Sequence, residues 1–258
     1  MTDFTPEPAP RELIRAIHVR GVKEPHDVNG ISATFLHALD QDRFLTILAA
    51  ADMDYGAPVP FAESYAYARA RVIEQILIAP GPVVLSGYSG GAYVIGDLAR
   101  DIAEGRVDGV MASDIAAVAL LADPLRPEGE GAPGIPTPGG YGIAGQRYIP
   151  DIPAFWGSAS RDAITACAAD NPLRTVADLS TLWSVDPLRA IPWAQDVMHR
   201  LIYRQLQPWW MHPFRPAEQW GGAIDALNGY LWQGHHTNDY LREGVCVALA
   251  AAVNEAIR

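Results

Sequence analysis

The sequence predicts an α/β fold, with a central, mostly parallel sheet and helices on both of its faces. Two observations carry that reading. Short apolar runs rich in β-branched residues recur along the chain, and each is followed by a stretch with helical spacing. Glycine or proline marks most of the joins. Strands separated by helices run parallel, because returning the chain to the same end of a sheet needs a long crossover.

The elements follow in order. LIRAIHVRG, from Leu13 to Gly21, is short, β-branched and closed by glycine, as a buried strand is. GISATFLHALDQ, from Gly30, reads as a helix, and FLTILAA (Phe44 to Ala50) as a second strand. PFAESYAYARARVIEQILIAP carries apolar residues at helical spacing and ends at Pro80, which cannot continue a helix. GPVVLSGYS is a strand, GGAYVIGDLARDIAEG a helix and IAAVALLADP a strand. Between Pro124 and Pro150 glycine and proline dominate, which predicts a long surface loop. DIPAFWGSASRD is one more short strand leading into a loop. Mostly helical segments follow from Asn171 to about Gly222, and YLREGVCVALAAAVNEAIR closes the chain as a helix with an apolar face. Residues 1–12 are expected to be a flexible, proline-rich lead-in, and residues 13–258 one domain.

Charge narrows the partners. The formal net charge of -11 repels nucleic acid and anionic membranes, so neither is expected as a partner. No stretch approaches the roughly 20 apolar residues of a membrane span. MTDFTPEPAPRE has no basic segment before an apolar run, so a protein made in the cytoplasm without a signal peptide is expected, and a monomer. The two cysteines, Cys167 and Cys246, are too few for a disulfide scaffold and are expected as free, buried thiols.

The join VVLSGYSGGAYV, Val83 to Val94, places Ser89 in a G-x-S-x-G pattern between a strand and a helix. A strained turn of that kind exposes a serine hydroxyl and aims the unpaired N–H groups of a helix N-terminus at an anion forming beside it. A serine hydroxyl is a poor nucleophile at neutral pH, so a base and an orienting acid are required, and after such an elbow they come in the order acid, then histidine. His18, His26 and His37 precede the serine, while packing or surface polarity accounts for His199 and His212. That leaves His235 and His236, in WQGHHTNDYL just before the last helix. Adjacent histidines point apart and no compact carboxylate or cysteine set accompanies them, so no metal site is expected. For the acid, Asp162 in FWGSASRDAIT follows the next strand on a small-residue loop, with Asp123 in LLADPL as its rival; Asp151, Asp170, Asp178 and Asp186 are also in range. Asp162 also suits a purely local role as a helix cap. The backbone N–H groups of Val22, after the first strand, and Gly90, after the serine, are expected to converge as an oxyanion hole.

VRGVKEP after the first strand, GYSGGA at the elbow, LLADPLRPEG after a later strand and the Gly-x-His segment before the last helix together resemble the cutinase-like serine esterases, in particular the mycobacteriophage lysin B type. The resemblance spans nearly the whole chain from Ile14. It implies an α/β-hydrolase fold, with Ser89 as nucleophile, Asp162 as acid, His236 as base and Val22 and Gly90 as oxyanion donors, no cofactor, and a helical insertion between acid and histidine, about residues 171–234. Gly90 stands where the family often has glutamine, and the histidine-to-tyrosine spacing in HHTNDY is one residue long, which keeps His235 as an alternative. The implied reaction is hydrolysis of the ester joining mycolic acids to arabinogalactan, at the envelope of an actinobacterial host after release from the infected cell. Such a substrate needs a groove for a long alkyl chain, which Trp183, Trp193, Trp209, Trp210 and Trp220 are placed to line. Two other readings share these residues: a general carboxylesterase, lipase or cutinase with no wall role, and a wall-binding module that has lost its chemistry.

Overall fold

The computed structural model describes residues 12–48, 61–179, 199, 206–213 and 215–258. The expected lead-in over 1–12 lies almost wholly outside the described residues, as do Trp183, Trp193 and Asp186. Among the described residues, five strands form one sheet: β1 (Ile14–Val19), β2 (Phe44–Leu48), β3 (Val83–Tyr88), β4 (Ile115–Leu121) and β5 (Ala154–Gly157). They lie in the order β2-β1-β3-β4-β5, and every neighbouring pair is parallel. The α-helices bounded within the described residues are α1 (Ile31–Ala38), α2 (Phe61–Leu77), α3 (Gly90–Ala103), α4 (Leu173–Leu179), α5 (Pro216–Asn228), α6 (Asn238–Arg242) and α7 (Val245–Ala256).

Both faces of the central strands are covered, which is why they read as continuous apolar runs. All six residues of β3 are buried. Successive side chains then serve two different cores. Val83 and Leu85 pack with Val72 and Ile76 of α2 and Leu98 and Ile102 of α3, while Val84 packs with Phe35 of α1 and Leu249 and Val253 of α7. β2 lies at the edge of the sheet and exposes Leu45 and Leu48.

Chain order reverses between β1 and β3, so the segments leaving them diverge, α1 to one face and α3 to the other. In open parallel sheets such a divergence opens a crevice at the carboxyl ends of the strands. Ser89 follows β3 and Val22 follows β1, which puts both at that crevice.

Two regions differ from expectation. The segment from Pro124 to Pro150 is not simply a surface loop, because buried arginines tie it inward. Arg126 donates to the carbonyls of Thr165, Glu130 and Gly140, among others, and Arg147 to those of Tyr93 and Ala92. A loop with few apolar side chains still has carbonyls to satisfy, and one guanidinium offers five donors. The C-terminal helix is two helices, α6 and α7, because Gly244 adopts a left-handed φ of 71° that ends the first. Among the described residues, no helix is long and apolar enough to cross a membrane.

Candidate active site

The site begins with a strained turn. Ser89 sits at φ 54° and ψ -117°, a conformation costly for any residue with a side chain. Its neighbours are small because backbones meet there. A Cβ on Gly87 would lie 2.5 Å from the carbonyl carbon of Gly91, and one on Gly91 2.1 Å from the Val19 oxygen. Those glycines let α3 start directly against β1 and β3. The Ser89 N–H donates to Leu121 O at 2.8 Å and fastens the turn to the end of β4.

Three side chains distant in sequence then meet. Ser89 Oγ lies 2.8 Å from His236 Nε2, and His236 Nδ1 lies 3.0 Å from Asp162 Oδ2. Asp162 is fully buried. Its other oxygen accepts the Ile164 N–H at 2.9 Å, so the local capping role and the long-range contact coexist on one carboxylate. His235 turns elsewhere: its ring packs against Gly229, where a Cβ would lie 2.2 Å from Nδ1. Asp123 has other partners. It receives Arg147 Nη2 at 2.7 Å and Trp156 Nε1 at 3.0 Å.

Tyrosines surround His236. Tyr88, inside the elbow, stacks on the ring with centroids 5.5 Å apart and donates its hydroxyl to the His236 carbonyl at 2.7 Å. Tyr230 covers it at 5.2 Å, and the Tyr240 hydroxyl reaches Asp162 Oδ2 at 2.6 Å. Sequence reasoning singled out none of these roles. The signal for Tyr240 was its place four residues after His236, across a turn and into the start of α6.

Val22, Gly90, Ser89 and His236 border one cavity of about 990 Å³. Gly90 is the first residue of α3, so its N–H has no acceptor within the helix. The loop carrying Val22 is held by Glu24, whose carboxylate accepts the N–H groups of Gly21 and Ser32 at 3.0 Å each and the Ser32 hydroxyl at 2.6 Å. Because Ser32 gives its proton to Glu24, its oxygen accepts from His18 Nε2 at 2.8 Å, leaving Nδ1 to accept the Ser86 hydroxyl at 2.9 Å. Burial first, and then the charge of Arg20, lowers the His18 pKa to about 3, so this histidine is a neutral strut.

This chain is similar in fold to lysin B from Mycobacteriophage D29, with a TM-score of 0.55 and 14% identity over 96% of this chain and 91% of that one. The fold is that of the α/β-hydrolases. A novel cutinase-like protein from Cryptococcus sp. aligns with a TM-score of 0.42 and 15% identity, over 84% of this chain and 94% of that one. A yden-like hydrolase from Pectobacterium atrosepticum aligns with a TM-score of 0.35 and 16% identity, over 71% of this chain and 72% of that one. No family model and no curated protein matches the sequence.

The cavity wall differs from the expected tryptophan lining. Ile143, Ile164, Leu173, Val176, Leu227 and Leu231 form much of its apolar surface, and Trp209, Trp210 and Trp220 are not among its walls. Those tryptophans cluster edge-on with one another, and Trp209 Nε1 donates to Thr175 Oγ1 at 2.8 Å. A polar margin of Lys23, Glu24, Asp27 and Asn29 adjoins the Val22 loop. Cys167 and Cys246 are both free and buried. Burial pushes their thiols up to about 11 and about 12, so they stay protonated and unreactive at neutral pH. Chemically, an imidazole oriented by a buried carboxylate can take the proton of an adjoining hydroxyl as its oxygen attacks a carbonyl.

Proposed function

We propose that the protein is a serine esterase acting on lipid esters by double displacement. The observation that carries this reading is the unbroken line of hydrogen bonds from Asp162 through His236 to Ser89, opening on a cavity with a largely aliphatic wall. Ser89 Oγ attacks the ester carbonyl while His236 Nε2 takes its proton, and the N–H groups of Val22 and Gly90 hold the oxyanion. The alcohol leaves with the proton from His236. Water, deprotonated by the same nitrogen, then attacks the acyl-enzyme, and Ser89 recovers its proton as the acid departs.

For the substrate we propose the ester between a mycolic acid and arabinogalactan, cleaved at an actinobacterial envelope after the protein is released from the infected cell. The sequence motifs and the likeness of fold to a phage lysin B support this choice. So does the lining, since an alkyl chain suits the aliphatic wall and a sugar alcohol the margin from Lys23 to Asn29. Each methylene moved from water onto an apolar wall contributes ~0.8 kcal/mol, so kcat/KM is expected to rise about fourfold per methylene until the wall is filled.

Ser89→Ala decides the chemistry. Hydrolysis of a short p-nitrophenyl ester is expected to fall by about 10⁶-fold with the thermal midpoint unchanged. Wild-type rates in that variant defeat the proposal. Substrate class is read by comparing free mycolate released from mycolyl-arabinogalactan with tributyrin hydrolysis; preference for tributyrin favours an esterase with no wall role.

A further inference from the structure

We propose that Tyr240 is a positioning residue for the esterase centre, its phenol holding Asp162 turned toward His236 and sharing the carboxylate charge that His236 would otherwise carry alone. The inference rests on the esterase reading above but can fail separately from it. Asp162 Oδ2 accepts from three side chains: His236 Nδ1 at 3.0 Å, the Tyr240 hydroxyl at 2.6 Å and the Thr165 hydroxyl at 3.3 Å. The phenol makes the shortest of these bonds, and both Tyr240 and Asp162 are fully buried. Burial, with the Asp162 charge beside it, holds the phenol protonated well above its ordinary range, so it donates whenever the carboxylate is ionised.

Besides Asp162, the phenol oxygen meets the Thr165 hydroxyl at 3.4 Å. Its ring meets those of His236 and Tyr88 edge-on, at 6.3 and 6.2 Å, so it braces the imidazole as well as the acid. Among the described residues, the charged or titratable groups facing it are Asp162, His236, Tyr88 and Arg126, with Cys246 Sγ against the Tyr240 carbonyl and Tyr230 on the far side of the His236 ring. Arg126 is committed to backbone carbonyls. A donor on the carboxylate spreads its charge and weakens its hold on an imidazolium. Without that donor the protonated imidazole is favoured, and the base becomes available only at higher pH.

Tyr240→Phe keeps the ring and removes the donor. In this variant the acid limb of kcat/KM for a p-nitrophenyl ester, and the NMR titration midpoint of the His236 ring, are both expected to move up by about one pH unit. kcat is expected to fall by about tenfold, with KM unchanged. Thr165→Val removes the longer bond and is expected to move both in the same direction by less, which keeps the test open should Tyr240→Phe not fold. A folded variant with a lower thermal midpoint or lower kcat, but an unmoved acid limb and ring titration, overturns the proposal. If the unaltered protein hydrolyses no ester, the esterase reading fails, while the ring titration still decides the coupling.

Discussion

Two aspartates stand at corresponding places, Asp123 after β4 and Asp162 after β5, and are built to one plan. Each is buried, and each accepts the backbone N–H two residues on, Leu125 at 3.0 Å and Ile164 at 2.9 Å. Each also takes one aromatic donor, Trp156 Nε1 at 3.0 Å or the Tyr240 hydroxyl at 2.6 Å. Asp162 adds the Thr165 hydroxyl at 3.3 Å, and the two part decisively at the last ligand. Asp123 meets Arg147, a permanent cation that is itself buried, whereas Asp162 meets His236, an imidazole whose other nitrogen lies 2.8 Å from Ser89 Oγ. What ties one carboxylate to a fixed cation and the other to the Ser89–His236 pair is the partner across the fold.

Asparagine at each position is expected to break the symmetry most sharply. Asp162→Asn keeps size and shape but offers an N–H to His236 Nδ1, favouring the tautomer whose Nε2 cannot accept the Ser89 proton. The expected loss in kcat is about 10⁴-fold, equivalent to ~5.4 kcal/mol, with little change in stability. Asp123→Asn strands the Arg147 guanidinium in the interior, with Asp97 at 3.0 Å as its remaining carboxylate. That is expected to cost ~3–5 kcal/mol in urea unfolding, while kcat per folded molecule is unchanged. Equal effects of the two variants on both readouts would end the distinction.

The histidines sharpen it further. His236 has the cavity on one side and Ser89 within reach, while His18 is enclosed between Ser32 and Ser86. The folded-state pKa of His18, about 3, lies below its unfolded value of 6.5. Its contribution to stability is therefore full above pH 6.5 and is lost as pH falls from there towards 3. Relative to the non-titrating variant His18→Gln, the unaltered protein is expected to lose about 2.5 kcal/mol between pH 7 and pH 4.5. A constant gap between the two in urea unfolding across that range would show that His18 takes up its proton in the folded state as readily as in the unfolded one.

How much of this was readable depended on how local each signal is. The sheet was readable because β3 and β4 are buried on both faces and so appear as unbroken apolar runs. The turn at Ser89 was readable because close backbone approach demands glycine at Gly87 and Gly91, and a missing side chain leaves a mark in sequence. The choice between His235 and His236 was not. Gly234, in a left-handed conformation with φ 72°, follows a π-helical turn, Gly229–Gln233, and this backbone path governs which of two neighbouring rings faces Ser89. Nor was the choice between Asp123 and Asp162, since their local settings match and Arg147 and His236 come from distant segments. The 124–150 loop misled for a related reason: its composition is that of an exposed turn region, but Arg126 and Arg147 supply from within the donors that water would otherwise provide.

The smallest expected effect separates the two tyrosines that hold the imidazole. Tyr240 acts on a charge, whereas Tyr88 donates to the neutral carbonyl of His236. Tyr88→Phe leaves that buried carbonyl without its phenol donor, at a cost of about 1–2 kcal/mol in thermal unfolding. The ring stack survives, so kcat is expected to fall only a few-fold. The acid limb of the pH profile is expected to stay in place, because no bond to the carboxylate has changed. A shift of that limb matching the one expected for Tyr240→Phe would mean that ring placement, rather than the charge on Asp162, controls when His236 is free to act as a base.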